Sequence, residues 1–512
     1  MKRVLYVMMG LVILGITACT DDLNTVPEIE LSLDRLLEEE EQAIEGIVSR
    51  LYATFALSGP DGSGSSDIDD DAGESPFLRG IINLQEFTAD GMKNRWGDDG
   101  LDQLTTASNW DGNNKFFRYL FNRVYYTIPQ CNNLLVILGS EDFPDEEIVA
   151  SEARFLRALA YYYLIDTFGK GVLATEENLG QVEPLPEASR QELFEYVERE
   201  LLEIEPVIPE NIGYGRANRY VVDMLLGKLY MNAGVYTGTT RWDDAVPFVN
   251  KIITESSYSL DPDFVRIFSG DNNDSPEIML PLIADPIDSQ SFGNTTYLVN
   301  GSLSAETMPL AEFGATDGWQ GHRATSAWYG LFGNLAASPD DRARLFWTEG
   351  HNFEMNNYRE WTDGYPAIKF RNAGFNTQLP VTNFSGTDFP LFRLADAYLM
   401  YAELAIRGAT GTDMATALDL VNAVRERSNA TPITMGELDL DFIIDERGRE
   451  LMFEGHRRSD LIRFGRFTGS SYLWPWKGNV ASGTFVPEHY RLFPMPLSAL
   501  QGNTNLTQNP GY

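Results

Sequence analysis

Leu226-Gly227-Lys228-Leu229-Tyr230, followed after a turn by Ala245-Val246-Pro247-Phe248-Val249, decides the fold class of this chain. A large residue, a small one, two spacers and a tyrosine share one helix, and a small residue opens a second. Small side chains let two helices approach closely, and the tyrosine fills the groove between neighbouring hairpins. The pattern returns at Leu394-Ala395-Asp396-Ala397-Tyr398 with Ala417-Leu418-Asp419-Leu420-Val421. Helical hairpins arise in any helical protein, but repetition of the whole pattern favours true tetratricopeptide-type repeats.

Upstream of these pairs, Glu152-Ala-Arg-Phe-Leu-Arg-Ala-Leu-Ala-Tyr-Tyr-Tyr-Leu164 is apolar on more than one face and stops at Phe168-Gly169, where glycine ends a helix without strain. Arg190 to Ile204 predicts a further helix ending before Pro206, and Asn114 to Leu138 another. Helical periodicity also starts near Leu36 and runs through Glu45, Ile47, Val48, Leu51 and Phe55. Ser58 to Glu74, rich in Gly, Ser and Asp, reads as a loop. Residues 258–390 differ from the rest: few helical runs, many Gly, Asn, Asp and Pro, and scattered aromatics including Phe292, Tyr297, Trp319, Trp328, Trp347 and Trp361. A loop-rich insertion of this length is usually functional, and it is where a ligand is expected.

The N-terminus sets the compartment. Lys2 and Arg3 precede an apolar run from Val4 to Ile16, shorter than the roughly 20 residues a membrane-spanning helix needs. Ile16-Thr17-Ala18-Cys19 then has the form of a bacterial lipoprotein signal, with Cys19 the lipidated residue; an ordinary secretory signal with a chance cysteine is the plainer alternative. Several acyl chains on one cysteine hold a soluble domain firmly on a membrane. Asp21 and Asp22 form a weak surface-export pattern. Cys131 is the only other cysteine, so no internal disulfide stabilises the mature chain. The formal charge of −36 repels nucleic acid, anionic membranes and acidic polysaccharides, which leaves neutral ligands.

Catalytic patterns are absent. His322, His351, His456 and His489 show no metal-ligand spacing, and there is neither a phosphate-binding Gly-rich loop nor a Gly-x-Ser-x-Gly elbow. With 75 acidic residues, any carboxylate pair reads first as solvated surface, so nothing points to an enzyme. Asp271-Asn272-Asn273-Asp274 clusters oxygens that suit a structural calcium, but lacks EF-hand spacing; a metal-free turn is the competing reading, and no cofactor is required.

Three stretches together resemble the SusD/RagB outer-membrane lipoproteins: Glu152 to Tyr163, Phe389-Pro-Leu-Phe-Arg-Leu-Ala-Asp-Ala-Tyr398, and Asp445-Glu-Arg-Gly-Arg-Glu-Leu-Met-Phe-Glu-Gly-His-Arg-Arg-Ser-Asp-Leu-Ile-Arg-Phe-Gly465. The ending, Phe493-Pro-Met-Pro through Asn509-Pro-Gly-Tyr512, is similar too, so the resemblance spans the mature chain. It implies a mainly α fold of about four tetratricopeptide-like helix pairs with a loop-rich irregular ligand-binding subdomain and few short strands. It divides the chain into a leader (1–18), a lipidated tether (19–34), an N-terminal helical-repeat region (35–257), a glycan-binding insertion (258–390) and a C-terminal region completing the repeats (391–512). The implied function is non-enzymatic: a lipid-anchored lid on the cell exterior that hands glycans to a SusC-like TonB-dependent transporter.

Similarity is closer still to starch-binding members of that family, at Gly73-Glu-Ser-Pro-Phe-Leu-Arg79, Asn232-Ala-Gly-Val-Tyr-Thr-Gly238, Gly293-Asn-Thr-Thr-Tyr-Leu-Val299, Asp317-Gly-Trp319 and Tyr472-Leu-Trp-Pro-Trp-Lys-Gly478. Such members hold a curved α-glucan in an arc of three aromatic side chains, with an arginine and an asparagine. Carried over by position, the rings are Trp96, Tyr297 and Trp319 and the arginine is Arg79. The asparagine position falls at Asp99, a departure from the pattern. Sugar rings present flat C–H faces that match aromatic plates, and an arginine fork reaches several hydroxyls. Trp96 and Trp319 lie among glycines and polar residues and are read as ligand contacts. Tyr297 sits in an apolar-flanked run that also suits the core, and Arg79 also suits an internal ion pair. Arg447, Arg449, Arg457 and Arg458 are expected to bind carboxylates within the fold. Starch or malto-oligosaccharide is thus the expected ligand; another neutral glycan, peptides, or a protein-interaction scaffold without glycan binding are the alternatives.

Overall fold

The structure, a computed structural model, describes residues 43–68, 71–139 and 145–512. The leader, Cys19, the tether and the start of the helical periodicity expected near Leu36 lie outside them. The chain divides into a short unit ending at Arg50 and a large one from Leu51 to Tyr512. Of the short unit the description covers the opening turns of helix α1, Ala43–Ala56.

Among the described residues, eight further helices of at least twelve residues build the large unit: α2 Lys115–Leu138, α3 Glu146–Thr167, α4 Arg190–Ile204, α5 Arg219–Met231, α6 Trp242–Glu255, α7 Leu394–Ile406, α8 Met414–Arg427 and α9 Leu440–Leu451. Each of α2 to α7 packs against the next, and α9 packs against α7, which is a tetratricopeptide-like arrangement. Polar caps fix their starts. Asn114, Asn218, Asp413 and Asp439 each accept a backbone N–H of the first turn, and Ser189 with Glu192 forms a capping box. Gly169 follows α3 at φ +73°, as its sequence predicted.

The repeat signature acts in the structure as its residue types imply. A Cβ on Gly227 would stand 3.0 Å from Met400 Cε and 3.1 Å from Val249 Cγ2, so a larger residue here would force those side chains to give way for α5 to approach both α7 and α6 this closely. Tyr230 is buried, stacks on Phe248 at 5.9 Å, and donates its hydroxyl to Glu198 of α4 at 2.8 Å. It therefore bridges from its own hairpin to the preceding helix.

Among the described residues, six short strands pair two by two: β1 Met92–Asn94 with β5 His322–Ala324, β2 Gly171–Val172 with β3 Glu187–Ala188, and β4 Ile278–Leu282 with β6 Phe389–Arg393. All three pairs are antiparallel. Residues 258–390 lie within the large unit and form no body of their own. The β4–β6 ribbon crosses their C-terminal boundary, and β5 is paired to the N-terminal region.

A buried ionic cluster ties the loop-rich segment to the helices. Arg342 reaches Glu446 at 2.8 Å and Glu450 at 2.7 Å; Arg393 reaches Glu277 and Glu450 at 2.7 Å and Glu454 at 2.6 Å. Arg427 joins Glu277 at 2.8 Å and also pairs with Glu450, while Lys369 pairs with Glu454. Burial opposes ionisation of Glu450, but Arg427, Arg393 and Arg342 outweigh it and hold the carboxyl below its usual range. Of the four arginines expected to bind carboxylates, Arg447 pairs with Asp396 and Asp460, Arg449 with Glu446 and Arg457 with Asp90. Arg458 is the exception: it donates to the Tyr490 and Arg491 carbonyls and lies 4.1 Å over the Phe493 ring. No carboxylate reaches it because aromatic residues from the C-terminal segment occupy that space.

Glu86, on the π-helical turn Ile82–Phe87, contrasts with the cluster. Its Oε1 accepts the Gly455 and His456 backbone N–H groups, while Oε2 is buried without a partner. Burial pushes this carboxyl up from 4.5 to about 7, against those N–H groups and Lys369. Because the folded value is raised, its contribution to stability is complete below about 4.3 and lost as pH rises through 7. Glu86→Gln keeps one acceptor and removes the titration. Thermal melts should show the variant gaining on wild type at pH 8, by about 1–3 kcal/mol, and matching it near pH 4. An equal difference at both pH values would refute the titration.

Candidate functional site

Arg79 lies on the short helix Phe77–Ile81, where its backbone N–H donates to Gly293 O at 3.1 Å and Nη1 to Gly73 O at 3.1 Å. These contacts join two stretches more than 200 residues apart and set the guanidinium 4.4 Å over the ring of Tyr297. Tyr297 stands on the helix Thr295–Gly301, capped by Asn294, and donates its hydroxyl to Asn83 Oδ1 at 2.8 Å. Its surroundings exclude water, so burial pushes the phenol well above its ordinary pKa.

Trp96 follows β1, and its backbone N–H donates to Asn94 Oδ1 at 2.7 Å. Its indole N–H donates to the Trp319 carbonyl at 3.1 Å. Trp319 belongs to a loop pressed against the end of the Tyr297 helix: its N–H meets Asn300 O and that of Gly321 meets Gly301 O, both at 2.7 Å. Its indole N–H is held by Asp317 Oδ2 at 3.0 Å. The loop approaches so closely that a Cβ on Gly318 would meet Ser304 N at 2.7 Å, and one on Gly321 would meet Trp96 Cζ2 at 2.5 Å.

The three rings thus come together. Trp96 is central, 6.0 Å from Tyr297 and 6.3 Å from Trp319, with successive planes tilted by 54° and 49°. The rings therefore step round rather than forming one flat wall. Trp96 and Trp319 are half-buried, and half-buried Phe292, 6.3 Å from Trp319, continues the row. His322 backs it, 4.5 Å from Tyr297 and 5.5 Å from Trp96. Burial and Arg79 hold that imidazole far below its usual pKa, so it is neutral. Such a face can take the C–H side of a flat ring, with Asp317 as acceptor at its edge.

One sequence expectation changes. Tyr297 is not an exposed plate: it is 0% exposed, covered by Arg79, which is itself 7% exposed. Its apolar neighbours put it in the core, and the accessible rings are the two indoles. Asp99 is exposed and has no hydrogen bond or ion pair among the described residues; the carboxylates whose charges act on Tyr297 are those of Glu74 and Asp98.

The Asp271–Asp274 turn spends its oxygens within the fold. Asp271 accepts the Phe375, Asn376 and Thr377 N–H groups, Asp274 pairs with Arg266, and the Asn272 side chain bonds Ile267 O and Asp388 O. These contacts hold the turn, and among the described residues no group of three or more His, Cys, Asp and Glu is placed to hold a metal ion. The Cys131 thiol is buried and pushed up to about 12 by desolvation, so it is unreactive.

The sequence profile described as the SusD family matches residues 344–512. The starch-binding protein SusD of Bacteroides thetaiotaomicron is 33% identical over 97% of this chain and 96% of its own. The chain belongs to the SusD family. A second relative, SusD-like protein P25 of Formosa agariphila, is 26% identical over 76% of this chain and 78% of its own. The fold is that of the SusD superfamily as well. A superfamily protein of Parabacteroides distasonis superposes with a TM-score of 0.72 at 20% identity, covering 92% of this chain and 99% of that one. Surface glycan-binding protein A of Bacteroides thetaiotaomicron, solved in complex with laminarihexaose, gives 0.71 at 19% identity over 92% and 99%. Like the profile, Arg447, Arg457 and Arg458 themselves fall in the C-terminal third, which places the most recognisable part of the SusD-family sequence in the scaffold and not in the ring cluster. No helix among the described residues is long and apolar enough to cross a membrane.

Proposed function

We propose that this chain is a non-enzymatic lipoprotein that captures starch or malto-oligosaccharides at the cell exterior and delivers them to a SusC-like TonB-dependent outer-membrane transporter. The observation that carries the reading is the convergence of Trp96, Trp319, Tyr297 and Arg79, drawn from segments far apart in sequence, into one stepped aromatic face. Rings tilted by about 50° to one another follow a curved glucan better than the flat ribbon of an extended one. The 33% identity to a protein named for starch binding supports the choice of ligand. Anchoring is through lipid on Cys19, with no other membrane contact, and the charge of −36 disfavours nucleic acid and acidic polymers as bulk ligands. Two accessible indoles give a shallow site, so affinity lies in the micromolar-to-millimolar range, about 4 to 8 kcal/mol.

Native electrophoresis in gels containing amylopectin tests the assignment. Wild type should be retarded, and Trp96→Ala/Trp319→Ala should migrate as it does in a plain gel, with its melting temperature preserved. Tyr297 stays unchanged because truncating a buried ring would confuse binding with stability. Free migration of wild type would sink the starch assignment.

A further inference from the structure

Away from the ring cluster, and sharing none of its residues, lies a cavity of about 460 Å³ lined by Phe313, Trp347, Phe375 and Arg371 among others. That volume falls within the range of about 300–1,000 Å³ typical of small-molecule sites. Phe313 and Trp347 meet edge to face at 6.2 Å, and Phe375 is 41% exposed. The Asp271 carboxylate caps the backbone N–H groups of Phe375, Asn376 and Thr377, so this wall is held in place rather than left as a loose loop.

The polar groups of the cavity are unevenly satisfied. Arg344 pairs with Asp341, and Arg427 is committed to Glu277 and Glu450. Arg371 makes one side-chain hydrogen bond, Nη2 to Ile368 O at 3.0 Å; no carboxylate meets it, and its Nε is buried without a partner. Trp347 Nε1 is likewise buried and unpartnered. Two orphaned donors, one on an uncompensated cation, stand beside aromatic rings. Burying such groups unpaired is costly, and an acceptor supplied by a ligand would remove the cost. Desolvation holds the Arg371 pKa below its ordinary value, which an anion would reverse.

We propose that this cavity is a second carbohydrate site that takes a hexuronic acid unit, its ring against the aromatic wall and its carboxylate on Arg371 and Trp347. An arginine fork matches a carboxylate in plane, whereas a neutral hydroxyl leaves the cation uncompensated. The overall charge of −36 does not forbid it. At physiological salt, screening acts over about 8 Å, so the local cation dominates inside the cavity. Asp341 is already engaged by Arg344 and Asn429, while Asp263 and Glu312 are exposed and solvated. Only the choice of a sugar as the ring rests on the glycan-binding reading above; the demand for an anion does not.

The test titrates the full chain with sodium glucuronate, with glucose and with sodium benzoate at constant ionic strength, following tryptophan fluorescence. Glucuronate should saturate in the millimolar range, and Arg371→Gln should bind it about tenfold more weakly or worse. Trp96→Ala/Trp319→Ala should bind it as wild type does, so a failed amylopectin assay leaves this result standing. Should Arg371→Gln fold poorly, Trp347→Phe, which keeps a ring and removes the N–H, must still weaken glucuronate binding. The proposal is overturned if glucuronate does not saturate, if glucose binds as tightly, or if both variants bind like wild type. Benzoate binding as tightly as glucuronate would overturn the sugar assignment.

Discussion

Glu450→Ala is expected to destabilise the protein by about 3–5 kcal/mol or more, the cost of breaking a buried ion pair from one side. Glu450 is fully buried and accepts from Arg342, Arg393 and Arg427 together, so its removal strands charge on three arginines rather than one. A whole domain is typically stable by only about 5–15 kcal/mol, so urea melts should show a large fall in midpoint. The sign with pH follows from the depressed carboxyl. Its contribution is present above the unfolded value near 4.3 and is lost as pH falls below it, so the gap between wild type and variant should narrow in acid. A change below about 1 kcal/mol at neutral pH would mean that the arginines find other partners, and the cluster would lose its assigned role.

The largest functional effect should come from a residue that carries no side chain. In Gly321→Ala the new methyl would stand 2.5 Å from Trp96 Cζ2 and 2.7 Å from Cε2, closer than packed atoms can come. The indole is rigid, so Trp96 must swing aside, losing its hydrogen bond to the Trp319 carbonyl and the tilt between the two plates. The Gly321 backbone can keep its bonds to Gly301 and Arg95. Retardation in amylopectin gels should therefore vanish as fully as with both indoles truncated, while the melting temperature changes little. Full retardation of a folded Gly321→Ala would show that Trp96 need not hold its present orientation.

The helices were legible because their signals are local. A glycine and a tyrosine at fixed spacing on α5, and Gly169 after α3, report packing within one hairpin or one turn. The site was legible only through resemblance. Arg79 and Trp96 lie some 200 residues from Tyr297 and Trp319, and no periodicity links them. Even so, a positional match could not tell that Arg79 would cover Tyr297. Arg447, Arg449 and Arg457 read correctly as partners of internal carboxylates, unlike Arg458, whose aromatic neighbour Phe493 comes from a segment 35 residues on. The cavity beside Trp347 left no mark in the sequence, because its wall is assembled from the surroundings of Asp271, Phe313, Trp347 and Arg371.

The ionic cluster also fixes where this chain can tolerate novelty. Glu277, Arg342, Lys369 and Arg393 act as four rivets along the irregular segment, each fastened to the helices behind it or to a neighbouring rivet. Loop-closure entropy grows only slowly with length, so the spans between rivets can be lengthened, shortened or exchanged at little energetic cost. The recognition surface is thereby uncoupled from the frame. A grafted loop inherits its anchorage, and new ligand preferences can be introduced one span at a time without redesigning the helices that carry them.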